Sequence, residues 1–100
     1  MTAPLLDLAV VIPTFNEAGN VPLIIAKLDA ALQGRNWEAI FVDDNSPDGT
    51  AAVARQIGRL DRRVRVIQRI GRRGLSSACI EGMCATAAPI VAVIDGDLQH

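Results

Sequence analysis

The chain has 100 residues, half of them hydrophobic and 21% charged, with a formal net charge of −1. That length holds one domain at most, and so apolar a composition excludes a disordered chain. Uncharged apolar runs such as residues 85–94 fall short of the roughly 20 residues of a membrane span, the opening MTAPLLD lacks the basic start of a secretory signal, and two cysteines do not make a disulfide scaffold. The expectation is a soluble, reduced, cytosolic domain.

Residues 8–13 (LAVVIP) are an apolar run that ends in a breaker, and they read as a strand. Val21, Ile24, Ile25, Leu28 and Leu32 recur at helical spacing. They predict a helix over 21–33, with Asn20 to cap its start and Gly34 its end. Residues 37–43 (WEAIFVD) read as a second strand. Asp48, Gly49 and Thr50 supply turn and capping residues before a helix carrying Ala51, Ala54, Ile57 and Leu60. A third strand follows at 64–68 (VRVIQ), then a helix rich in small residues at 75–87. The run 90–94 (IVAVI) has no polar side chain, which predicts a fourth strand buried on both faces. Strand starts near 8, 37, 64 and 90 are spaced as successive βαβ units. The expected fold is α/β: a Rossmann-like, mostly parallel, twisted sheet with helices on both faces.

The small net charge hides an asymmetry. Residues 1–50 hold seven acids and two bases; residues 51–100 hold eight arginines and four acids. All eight arginines lie between Arg55 and Arg73. Such a block can meet phosphates or an anionic membrane face, but its ordinary reading is a solvated helix face and strand edge. Nucleic acid is disfavoured, because one Trp, two Phe and no Tyr leave few rings for base stacking.

In open α/β sheets, ligands bind outside the carboxyl ends of the strands. Here the first strand runs into Thr14, Asn16 and Glu17, and the second into Asp43, Asp44, Asn45 and Asp48. The third runs into Arg69, Arg72 and Arg73, and the fourth into Asp95, Asp97, Gln99 and His100. Their convergence on one edge is the informative observation. Asp95 and Asp97, flanking Gly96 and followed by Gln99, are hard oxygen ligands that suit Mg²⁺ or Mn²⁺ better than zinc. A diphosphate would have to complete so sparse a shell. The competing reading has Asp95 closing the strand and Asp97 facing water. Asp43 and Asp44 are adjacent, so in an extended segment they point to opposite sides and do not form a carboxylate dyad. One of them can accept hydrogen bonds from a base or ribose; equally, DDNSPDGT is dense in turn formers.

Other signals are weaker. Cys79 and Cys84, five apart in a predicted helix, read as buried small apolar residues. His100 is the only histidine and supports no metal or triad assignment. Neither GxGxxG nor GxxxxGK[ST] occurs, so dinucleotide and P-loop sites lack their glycines. Gly71 and Gly74 bracket Arg72 and Arg73 ahead of a helix, a plausible loop for approach to phosphate.

The segments VVIPTFNEAGNV (10–21), FVDDNSPDGT (41–50), GRRGLSSACIEGM (71–83) and VIDGDLQH (93–100) together resemble the N-terminal half of inverting family 2 glycosyltransferases of the GT-A fold. Within that family they are most similar to the polyprenol- (dolichol-) phosphate mannose synthase group. DGDLQH resembles the group's DADLQH variant of the DxD metal motif, and IPTFNE its IPTYNE opening. The resemblance implies a nucleotide site lined by Pro13, Phe15 and Glu17, with Val42 and Asp44 meeting base and ribose. It implies that Asp95, Gly96, Asp97 and Gln99 meet the diphosphate and a Mg²⁺ or Mn²⁺ ion. Asp97 and Gln99 are then the direct metal ligands and Asp95 a further candidate. Phe15 stands where the family usually has Tyr, which removes a hydroxyl. Gly96 stands where alanine is commoner, a change expected to add flexibility and little else. The Arg72–Arg73 loop would lie near the sugar donor or the acceptor phosphate.

The implied reaction is transfer of mannose or another hexose from a nucleoside diphosphate sugar to a polyprenyl phosphate lipid, with inversion. In the family, acceptor recognition and any catalytic base follow the DxD motif. Residues 1–100 are therefore expected to be the nucleotide-sugar-binding part of a longer domain, inactive alone, whose whole acts at the cytoplasmic face of a membrane. Two other classes compete. A receiver-like phosphoacceptor module needs a lone Asp at the end of the third strand, where this chain has Gln68 and Arg69. A non-catalytic nucleotide-binding remnant or regulatory α/β module would keep the fold and lose metal-dependent binding.

Overall fold

The computed structural model describes residues 5–71 and 74–96. In it the four apolar runs pair as one parallel sheet: β1 (Leu8–Thr14), β2 (Trp37–Asp43), β3 (Val64–Gln68) and β4 (Ile90–Val93). The helices between them are α1 (Val21–Ala31), α2 (Thr50–Leu60) and α3 (Leu75–Cys84), and a 3₁₀ turn (Ala18–Asn20) leads into α1. The expected α/β architecture is the observed one.

Strand order is β3-β2-β1-β4. The chain steps outward from β1 to β3, then returns past β1 to place β4 on its other side. Right-handed crossovers put the helices of the two directions on opposite faces. Accordingly Val21, Ile24 and Ile25 of α1 and Ala54 of α2 pack with Val10, Ile12, Trp37, Ala39, Phe41 and Val64. On the opposite face Ala78 of α3 packs with Val11, Ile40 and Val42. Alternate residues of β1 and β2 thus serve the two cores, as a pleated strand requires. Each fully buried aliphatic or aromatic side chain adds roughly 1.5–3 kcal/mol, and Ile12, Ile24, Ile40 and Phe41 are among the most buried.

Charged groups follow two patterns. Arg63 conforms to the solvated reading: it lies 4.3 Å over the Trp37 ring and bridges Asp29 and Asp61 at the surface. The hydrogen bond between Arg63 and Asp61 is the main cause of the raised pKa of Arg63, to which Asp29 adds, and of the lowered pKa of Asp61. Glu38 departs from it. It is buried near the start of β2, where it accepts from Arg65 Nη1 and from Thr86 Oγ1. Arg65 Nη1 also donates to the Ala85 carbonyl, so this cluster fastens the far end of α3 to the sheet.

Several local expectations need correction. The first and third helices end earlier, at Ala31 and Cys84. Asn20 makes no capping bond, because α1 continues directly from the 3₁₀ turn and Asn20 is itself helical. β4 is not buried on both faces: among the described residues it lies at the sheet edge and pairs with β1 alone, and its Ile90 and Val93 are exposed. Cys79 is half-buried and Cys84 exposed, so neither is a core residue. No helix among the described residues is long and apolar enough to cross a membrane.

Candidate functional site

The reversal in strand order opens a crevice between the carboxyl ends of β1 and β4, the place where sheets of this kind bind ligands. A cavity of about 260 Å³ occupies it, lined by Pro13, Thr14, Phe15, Glu17, Asp44, Leu75, Ala78, Asp95 and Gly96. Six of the expected site residues are therefore brought together: Pro13, Phe15, Glu17, Asp44, Asp95 and Gly96. Asp97 and Gln99 lie outside the described residues, as do Arg72, Arg73 and His100. Val42 does not line the cavity. Its side chain is fully buried against the α3 face, because the pleat that turns Asp44 toward the opening places Val42 one pair deeper in the sheet.

The loops after β1 and β2 meet at this wall, and a buried carboxylate joins them. Asp43, the last residue of β2, pairs in register with Thr14 and is fully buried. It accepts hydrogen bonds from Thr14 Oγ1 (2.8 Å), the Ser46 N–H (2.8 Å) and Ser46 Oγ (2.6 Å). Ser46 Oγ in turn accepts from the Asn16 N–H at 2.8 Å. Asn16 and Asn45 both hold positive φ, 57° and 58°, the left-handed conformation that Asn tolerates best after Gly. Asp43 is thus a structural clamp, and Asp44 is the one of the two that lines the cavity. The alternation of the two aspartates was legible; their division of labour follows from which face α3 covers.

Asp48 clamps the next segment. It accepts from the Thr50 N–H and hydroxyl and from the Ala18 N–H. Thr50 Oγ1 accepts from the Glu17 N–H at 3.1 Å, and the Glu17 carboxylate accepts from the Phe15 N–H. The Thr50 contact, chiefly, holds the Asp48 carboxyl below its ordinary value of 3.8. A group depressed in the folded state stabilises above its unfolded pKa and loses that contribution as pH falls through its folded pKa. In urea unfolding, Asp48→Asn should therefore be less stable than the parent at pH 7, with the gap closing below about pH 4.

The turn after β4 is held from the other side. Ile94 N–H donates to the Val11 carbonyl, and Asn20 Nδ2 donates to the Gly96 carbonyl at 3.0 Å. Asn20, which propensity marks as a cap, instead anchors this turn. Gly96 does more than add flexibility: a Cβ there would lie 3.0 Å from the Pro13 carbonyl oxygen and 3.0 Å from Thr14 Cγ2. An alanine at this position requires the β1 loop to yield slightly.

The third strand contributes differently from its expected basic loop. Arg69 is buried behind Asp44, to which its Nε donates at 2.7 Å, and it does not line the cavity. The hydrogen bond to Asp44, chiefly, raises its pKa. Leu75 and Ala78, in the first turns of α3, were not marked by sequence reasoning; the Gly74 that precedes the helix was their only signal. Of the expected metal ligands, Asp95 alone lies among the described residues, and its carboxylate gives the wall a hard oxygen donor appropriate to Mg²⁺ or Mn²⁺. Among the described residues no cluster of three or more metal-binding side chains forms.

Residues 9–100 match the model of the family described as glycosyl transferase family 2. The chain is 41% identical over 95 residues to a dolichol-phosphate mannosyltransferase of Pyrococcus furiosus, covering 95% of this chain and 27% of the relative. It is 33% identical over 98 residues to the Saccharomyces cerevisiae protein of the same name, covering 95% and 37%. It thus spans about a third of the length of these relatives or less. Among solved structures it resembles a Pyrobaculum calidifontis mannosyltransferase in complex with GDP-Man and Mn²⁺ (TM-score 0.69, 29% identity, 94% of this chain and 28% of that one). It also resembles glucosyl-3-phosphoglycerate synthase of Mycobacterium tuberculosis with Mn²⁺, UDP and glucosyl-3-phosphoglycerate (TM-score 0.70, 28% identity, 90% and 33%). A parallel sheet of this order, the cavity at its switch point and a family match over nearly every residue agree, and the chain belongs to glycosyl transferase family 2.

Proposed function

We propose that this chain is the nucleotide-sugar-binding part of a glycosyltransferase that moves mannose or another hexose from a nucleoside diphosphate sugar to a polyprenyl phosphate, with inversion. The observation that carries this reading is the cavity at the β1/β4 switch, walled by Glu17, Asp44 and Asp95 from three separate strand ends. The mannosyltransferase names of the relatives and the GDP-Man and Mn²⁺ of the structural neighbour support the donor class. In this reading Pro13, Phe15, Glu17 and Asp44 bind the nucleoside, and Asp95, Asp97 and Gln99 would hold Mg²⁺ or Mn²⁺ beside the diphosphate. When bound, the ion neutralises charge on the departing nucleoside diphosphate. A phosphate acceptor is already anionic at neutral pH and needs no strong general base. The work of these residues is then mainly positioning and charge stabilisation.

Calorimetric titration with GDP, UDP and their sugars, with and without Mn²⁺, tests the reading. Mn²⁺-dependent binding of one nucleotide series is the expected result. Metal-independent binding, or none, would favour the non-catalytic remnant. The relatives' greater length supports the expectation that residues 1–100 are part of a larger domain. Sugar transfer by these residues alone would refute it.

A further inference from the structure

We propose that Arg69 is a positioning residue: it sets the ligand-facing carboxylate of Asp44 and locks it to the start of α3 without touching ligand itself. The proposal rests on the reading of the cavity as a nucleotide site. Arg69 is only 1% exposed and ranks among the largest fully buried side chains of the protein. Arginine is almost never so buried unless paired. Its guanidinium joins the loop after β2 to the start of α3 through three hydrogen bonds. Nε donates to Asp44 Oδ1 at 2.7 Å, Nη1 to Ser77 Oγ at 2.9 Å, and Nη2 to the Gly74 carbonyl at 3.1 Å. Its own N–H donates to the Asp43 carbonyl at 2.8 Å, which carries the sheet ladder one step beyond β3.

Asp44 lines the cavity with its side chain still 17% exposed, whereas Arg69 lies behind it. Apart from Arg69, Asp44 accepts from the Gly74 N–H, at a long 3.3 Å. Without the arginine, the carboxylate would be free to turn toward water. The same fork grips Gly74 and Ser77, next to the Leu75 and Ala78 that complete the wall. One guanidinium therefore fixes two walls of the cavity. Buried ion pairs add little net stability compared with an apolar replacement, so orientation is the better account of this one. Lysine would supply the charge but not the planar fork.

The test is a double-mutant cycle in the full-length protein, reading affinity for Mn²⁺–GDP and Mn²⁺–UDP by calorimetry, with urea unfolding alongside. R69A and D44A are each expected to weaken binding by about tenfold to a hundredfold, the range for losing a group that orients a binding side chain. In the D44A background, R69A should add less than about twofold, because its effect passes through the missing carboxylate. R69K should fold and lose affinity by an intermediate factor; it replaces R69A in the cycle if R69A does not fold. Independent, additive losses, or R69K binding like the parent, would overturn the proposal while leaving the nucleotide reading intact. Failure of the unsubstituted protein to bind either nucleotide would remove that reading and this proposal with it.

Discussion

Replacing Asp43 by alanine is expected to destabilise the chain by about 2–4 kcal/mol, since it strands one buried and two half-buried donors at once. Those donors are the Thr14 hydroxyl and the Ser46 N–H and hydroxyl, all directed at a carboxylate with no exposed surface. The hydroxyls can turn to other partners, but the Ser46 N–H cannot. For a domain whose total stability is about 5–15 kcal/mol, the loss is a large fraction. The damage should reach the cavity too, because Ser46 Oγ holds the Asn16 N–H and hence the loop carrying Phe15 and Glu17. Asp43→Asn keeps one acceptor but presents an NH₂ group to one set of donors, so a smaller loss is expected. Asp29→Ala is the control. Asp29 pairs with Arg63, but its side chain is 58% exposed, and surface pairs contribute only about 0–1 kcal/mol. Urea midpoints of the three variants check the order. Equal losses for Asp43→Ala and Asp29→Ala would show that burial of the carboxylate does not matter.

The contrast between these two aspartates also explains what could be read from the sequence. Strands were legible because each is a short, mainly apolar run that leads into polar or charged residues, and β2 is buried along its whole length. Their parallel pairing then brings the polar residues after β1, β2 and β4 to one end. Apolar composition does not say which strand becomes an edge. The position of β4 is set by the return of the chain after β3, and its uncharged sequence looks as buried as that of β2. Buried charge was illegible for a related reason. Glu38 and Arg69 are tolerated inside because Arg65, Thr86 and Asp44 meet them, and those partners lie 25 to 48 residues away. Asn20 carries the same lesson: capping propensity is local, whereas its actual partner, the Gly96 carbonyl, is 76 residues away. Glycine shows the same limit. Gly71 and Gly74 read as loop formers, while Gly82 reads as one more small residue in a small-residue helix.

Gly82→Ala should cost about 1–3 kcal/mol even though alanine is the better helix former by up to about 1 kcal/mol. A Cβ at 82 would overlap Val11 Cγ1 and lie 3.0 Å from Val11 Cγ2 and 3.2 Å from Val42 Cγ2. Both valines are fully buried in the sheet, and their branched side chains have one favoured rotamer or few. The strain therefore cannot relax by a side-chain swing, and α3 must lift from β1 and β2. Gly82→Val should cost more. Gly19→Ala is the contrasting case, with nothing within 4 Å of its built Cβ, and should stay within about 0.5 kcal/mol of the parent. The cause can be isolated with Val11→Ala, which alone leaves a void and destabilises. Combined with Gly82→Ala it should be less harmful than the sum, with a favourable coupling of about 0.5–3 kcal/mol. Lifting α3 would also draw Leu75 and Ala78 from the cavity wall. Nucleotide affinity in Gly82→Ala should then fall, and recover in part in the double variant. If the two substitutions were simply additive in stability, the close approach of α3 to Val11 would not be what fixes this wall, and the helix would have to be held by its ends, at Arg69 and at Arg65.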